Sequence, residues 1–180
     1  MAGDEVLSIY STRDVHDFGA ACRLVWEGRE WFAPVEDVRS TAEDLFTCAA
    51  YADLIGELLR QDIPAPIMTQ MTQNMLRSRR PAYFGTRKTV FLLPGGSSKR
   101  KTGTVLLARR NLFHQGKADG QLDADEARDM GRAWLEAAES STQDTLFDKV
   151  LRRAGWLGDA ELEATFELLA DLRTGKEKLG

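Results

Sequence analysis

Acidic residues are missing from one third of this chain. Of 28 aspartates and glutamates in 180 residues, none falls between Ile63 and Ala118, where even spacing would place about 9. The same stretch holds 11 lysines and arginines. Cysteine is scarce as well. Cys22 and Cys48 are the two present, without metal-ligand spacing, which excludes a disulfide scaffold and a zinc module and suits two buried thiols. Histidine is limited to His16 and His114, far apart and without a cysteine or carboxylate at ligand spacing, so neither metal binding nor histidine-based catalysis is expected. No apolar run approaches the ~20 residues that cross a bilayer. The acidic start, Met1-Ala2-Gly3-Asp4-Glu5, lacks the charged and apolar regions of a signal peptide. A cytoplasmic protein with reduced thiols, no membrane contact, no metal and no cofactor is therefore expected.

What remains is soluble-globular composition: 43% hydrophobic, 29% charged, net charge −4. That near-neutral total conceals a strong partition. Met1 to Asp62 carries 5 basic and 13 acidic residues, and Asp119 to Gly180 carries 8 and 15. Between two anionic flanks lies a cationic middle, the part a polyanion would meet.

Local patterns predict the elements. Val6 to Tyr10 reads as a strand. Cys22 to Trp26, Glu27-Gly28 and Arg29 to Phe32 read as a small hairpin ended by Pro34. Ser40-Thr41-Ala42-Glu43 has capping-box form and predicts a helix start, with Leu45, Phe46, Ala49, Leu54, Ile55, Leu58 and Leu59 keeping helical spacing to about Gln61. Pro64 and Pro66 force a break. A second helix is expected over 66–79, with Ile67, Met68, Met71 and Met75 turned inward. Thr89 to Leu93 and Thr104 to Ala108 predict a β-hairpin around a flexible Gly/Ser/Lys tip. Three helices are expected beyond it. The first opens at Asp123 and Glu126 and is interrupted at Ser140-Ser141-Thr142, the second stops near Gly155, and the third starts at Asp159. The expected class is α+β: a helical hairpin followed by a β-hairpin, a small N-terminal β element and a C-terminal three-helix segment. We divide it into a mixed domain over 1–118 and an acidic helical segment over 119–180 that packs on it or mediates assembly.

Helix, sharp turn, second helix with a polar and cationic face, then a hairpin with a basic tip: this order resembles the core of winged-helix DNA-binding domains. The resemblance covers about 70 residues and rests on element order and charge. It implies base reading by Thr69, Gln70, Gln73 and Asn74, and phosphate contact by Arg77, Arg79, Arg80, Arg87, Lys88, Lys99, Arg100 and Lys101. The helix to Gln61 is longer than the first helix of that motif. A plainer reading is a helical hairpin on a β-hairpin whose basic groups are merely solvated. Leu24 to Val38, with Gly28, Trp31-Phe32 and Asp37-Val38, is also similar to the short pattern opening the Bro-type N-terminal domains of phage and viral DNA-associated proteins. It spans some 15 residues, and the rest of that family's pattern is absent.

Two other motifs fall short. Gly95 to Thr102 has P-loop spacing, but Arg100 stands where the second glycine must be, and a strand-forming run follows where a helix is required. Gly120, Leu122 and Glu126 match an EF-hand loop, yet Gln115 and Lys117 occupy its first and third positions. The expected function is thus non-enzymatic: nucleic-acid binding, DNA or RNA, through residues 66–110, with a homo-oligomer or protein partner through the C-terminal helices. The alternative is a structural or interaction protein, such as a phage assembly or connector component or an inhibitor of a cellular complex, whose basic segment docks on an acidic protein surface.

Overall fold

The computed structural model describes residues 7–16, 19–26, 28–61, 63–64, 66–68, 70–71, 74, 90–109 and 120–173. It is an α+β fold. Strands β1 (Ser8–His16), β2 (Gly19–Trp26) and β3 (Arg29–Pro34) form one antiparallel sheet in that order. Helix α1 (Val35–Arg60) follows. Strands β4 (Val90–Ser97), β5 (Thr102–Arg109) and β6 (Gly120–Leu122) form a second antiparallel sheet. Helices α2 (Ala124–Ala154) and α3 (Asp159–Arg173) complete the described elements. α1 packs along α2, with β1 and β2 resting on α2, and β4 and β5 on α1.

The first hairpin forms where it was expected. Trp26 pairs with Arg29 across the turn, and Gly28 takes φ +68°, which a side chain would resist. α1 departs from expectation. It begins at Val35 with Pro34 in the capping position and no side-chain cap, so Ser40 lies inside the helix. Val35 and Val38 explain the shift, because both are buried on the stripe that continues through Ala42, Leu45, Ala49, Ala52, Ile55 and Leu59. Burying a valine yields roughly 1.5 kcal/mol or more, against about 1 kcal/mol for a serine cap. Glu36 and Asp37 then face the positive end of the helix dipole.

Over its described residues, 120–173, the C-terminal segment holds two helices rather than three. α2 runs unbroken through Ser140-Ser141-Thr142, and the hydroxyls of Ser141 and Thr142 have partners in the fold. Ser141 is fully buried, its Oγ accepts the Thr12 amide at 3.0 Å, and it lies 3.4 Å from the Cys22 Sγ. Thr142 donates to the Ala138 carbonyl at 2.8 Å and accepts from Arg39 at 3.2 Å. Its ends match expectation: Asp123 and Glu126 form a reciprocal capping box, and Gly155 closes the helix at φ +66°.

The main core draws on both sheets and both long helices, with Leu24, Val38, Leu45, Val105 and Trp134 almost fully buried. Gly131 permits the α1–α2 approach, since a Cβ there would meet the Phe46 ring at 3.1 Å. Cys22 and Cys48 are buried, and neither is in a disulfide. A separate, smaller cluster of Leu151, Leu162 and Phe166 joins α3 to the end of α2. No helix among the described residues is long and apolar enough to cross a membrane.

Candidate nucleic-acid interface

The β4–β5 hairpin is longer and tighter than expected. Its strands continue through Pro94-Gly95-Gly96-Ser97 on one side and Thr102-Gly103 on the other, so the tip is a turn over 98–101 rather than a long flexible loop. Pro94 is tolerated because β4 is the edge strand of its sheet, where a missing amide breaks no ladder. Lys99, Arg100 and Lys101 are all exposed at this tip. The Arg100 amide donates to Ser97 Oγ at 3.2 Å, and Lys101 takes φ +54°. A lysine seldom adopts that backbone, which favours glycine or asparagine.

Three glycines fix the hairpin onto α1. A Cβ on Gly103 would lie 1.6 Å from the Ala52 carbonyl oxygen, and one on Gly56 would lie 2.9 Å from the Gly103 nitrogen. On Gly96 it would meet Ile55 at 2.6 Å and Leu59 at 2.9 Å. The base of the turn therefore sits against the last turns of α1, the end from which the chain continues to Ile63. There the Ile67 and Met68 amides donate to the Pro64 carbonyl at 3.0 and 3.2 Å. Pro66, Ile67, Met68, Gln70, Met71 and Asn74 have helical conformation.

The acids on this part of α1 already have arginine partners. Glu57 accepts from Arg60 at 2.8 Å and from Gln61 at 2.9 Å, and the Arg60 contact first, then Gln61, holds its carboxyl below the usual range. Asp53 pairs with Arg128, which also bonds Asp125 at 2.8 Å.

Of the residues expected to contact nucleic acid, Gln70, Asn74, Lys99, Arg100 and Lys101 are described, and all five are exposed. Thr69, Gln73, Arg77, Arg79, Arg80, Arg87 and Lys88 lie outside the described residues. Ile67 and Met71 were expected to face inward, yet they are 51% and 36% exposed. Gly56, Gly96 and Gly103 were not singled out from the sequence. A glycine inside an otherwise regular helix, as at Gly56, was the available signal. A cleft of about 560 Å³ between β1, β6 and α2 is lined by Ile9, Leu122, Met130 and Trp134. Its two acids are committed elsewhere, Glu126 to the capping box and Asp129 to Arg132. Among the described residues, no group of histidine, cysteine and carboxylate side chains is placed to hold a metal. Compared with protein-family models, curated proteins and solved structures, the chain matches none of them.

Proposed function

We propose that this chain is a non-enzymatic nucleic-acid-binding protein whose main phosphate contact is the hairpin tip, with the segment from Pro66 reading bases. The observation that carries this is the run Lys99-Arg100-Lys101, exposed on a turn clamped to α1 by glycine contacts. A rigid cationic projection loses little conformational entropy on meeting a phosphate backbone. The lysine at φ +54° supports the same reading, because a turn selected for stability alone would favour glycine there. Gln70 and Asn74, one helical turn apart and exposed, carry amides of the kind that pair with adenine edges.

Fluorescence anisotropy of a labelled duplex, titrated from low to near-physiological salt, tests the proposal. Saturable binding with a log–log salt slope of about −4 or steeper is expected. Replacing Lys99, Arg100 and Lys101 by alanine should weaken binding uniformly across sequences and reduce the slope by ~2–3. Replacing Gln70, Gln73 and Asn74 should relax sequence preference at little cost to non-specific affinity. No binding at low salt, or identical behaviour of the two triple variants, refutes this division of roles. A second reading, docking on an acidic protein surface, gains support from the exposed Ile67 and Met71, because apolar side chains among cations suit a protein partner better than a phosphate backbone.

A further inference from the structure

α2 changes character along its outer face. Over its first five turns that face carries Asp125, Asp129, Arg132, Glu136 and Glu139, as a solvated helix should. Beyond Gln143 it carries Leu146, Phe147 and Val150, which are 63%, 50% and 50% exposed. Spacings of three and four residues put Leu146, Phe147 and Val150 on one side of the helix. The main core takes its last residue from α2 at Ala138, so this half of the helix extends past it. α3 covers a different side, through Leu151, Leu162 and Phe166. Trp156, just after the helix cap, is 76% exposed.

We infer that this face is a homodimer interface, in which the C-terminal half of α2 pairs antiparallel with the same half of a second copy. Charge complementarity selects the second copy as occupant. The apolar triad lies between an anionic end, Glu136 and Glu139, and a cationic end at Lys149 and Arg153, all exposed; Glu139 also accepts from Arg39 at 3.3 Å, so Arg153 of a second copy would share it. A two-fold axis beside Leu146 and Phe147 brings Arg153 of each copy toward Glu139 of the other. Both lie about seven residues from the axis on opposite sides, roughly 10 Å along the helix. Antiparallel helices also set opposite dipole ends side by side, whereas a parallel pairing would align like charges. An isologous contact of this kind closes on itself and stops at two copies. The inference does not rest on nucleic-acid binding, and its failure would leave that proposal standing.

Sedimentation equilibrium from about 1 to 100 µM tests it. The expected result is a species of twice the 20.1 kDa chain mass, which Leu146→Glu with Val150→Glu converts to a monomer that keeps the wild-type circular dichroism and loses only the concentration-dependent part of its melting temperature. The orientation is read by crosslinking. Because Cys22 and Cys48 are buried, single Glu139→Cys and Arg153→Cys chains provide the reactive thiols. Mixed and oxidised, they should join to each other far more than either joins to itself. A wild-type monomer at 100 µM overturns the inference, including one whose triad binds anionic vesicles instead. So does a dimer that survives the double glutamate variant. Self-joining of each cysteine variant overturns the antiparallel arrangement.

Discussion

Single atoms decide the placement of the hairpin. A methyl group on Gly103 would overlap the Ala52 carbonyl, and both groups belong to backbones held in regular structure. Gly103→Ala should therefore cost about 3 kcal/mol, read as a lowered urea midpoint at unchanged m. Gly56→Ala should cost less, since its contact is longer and alanine is favoured in a helix by about 1 kcal/mol. The reverse order would mean that the hairpin does not rest on α1. Cys22 gives a prediction about pH. Burial pushes its thiol pKa up, against smaller opposing effects from the Ser141 hydrogen bond and the Arg39 charge. The folded chain then keeps a proton that the unfolded chain releases above about pH 8.5. Its contribution to stability is complete below that pH and declines as pH rises through the interval between the two values. Denaturation midpoints from pH 7 to 10 should fall less steeply for Cys22→Ala than for the wild type. Equal slopes would show that the thiol ionises alike in both states.

Among the elements, α3 depends on few contacts. Beyond its apolar cluster three arginine contacts hold it among the described residues, one of them Arg152 on α2, which donates to Asp159 at 2.8 Å. Arg173 forms a two-pronged pair with Asp144, at 2.6 and 2.8 Å, and Arg13 lies over the Phe166 ring at 4.8 Å while pairing with Glu163. Arg13 reaches α3 from the irregular stretch of β1 between Ser11 and Val15. Arg173→Ala would leave the Asp144 carboxylate buried without its cation, at a cost of about 1–3 kcal/mol. Hydrogen exchange should then accelerate in α3 while α1 stays protected, and Arg173→Lys should recover part of the loss because it offers one prong instead of two. Uniform acceleration would show that α3 and α1 open together. Elements with their own local signal were legible in the sequence: the two hairpins, the Asp123 box, and the Gly155 stop. The errors came where distant residues outweighed a local signal. Ser40 resembled a cap until Val35 and Val38 found a core, and Ser140-Ser141-Thr142 resembled a break until Thr12 and Arg39 supplied partners. β6 is three residues long, and its pairing with β5 has no signature of its own.

At the scale of the whole molecule, the sequence makes the cationic third plain but hides its support. Lys99-Arg100-Lys101 is readable as a charge run, whereas the contact between Gly56 and Gly103 joins positions with no pattern linking them. The same separation governs how the chain reaches its fold. The first sheet is complete in sequence by Pro34, yet the Thr12 amide finds its Ser141 acceptor 129 residues later. Leu24 and Trp26 share a core with Trp134 and Ala138. At ribosomal rates of roughly 5–20 residues per second, that sheet waits on the order of 5–25 s for the helix that covers it. Through that interval its apolar face is open to chaperones and to other nascent chains, so a slowed ribosome between Pro34 and Ser141 lengthens the period in which the protein is most prone to aggregate.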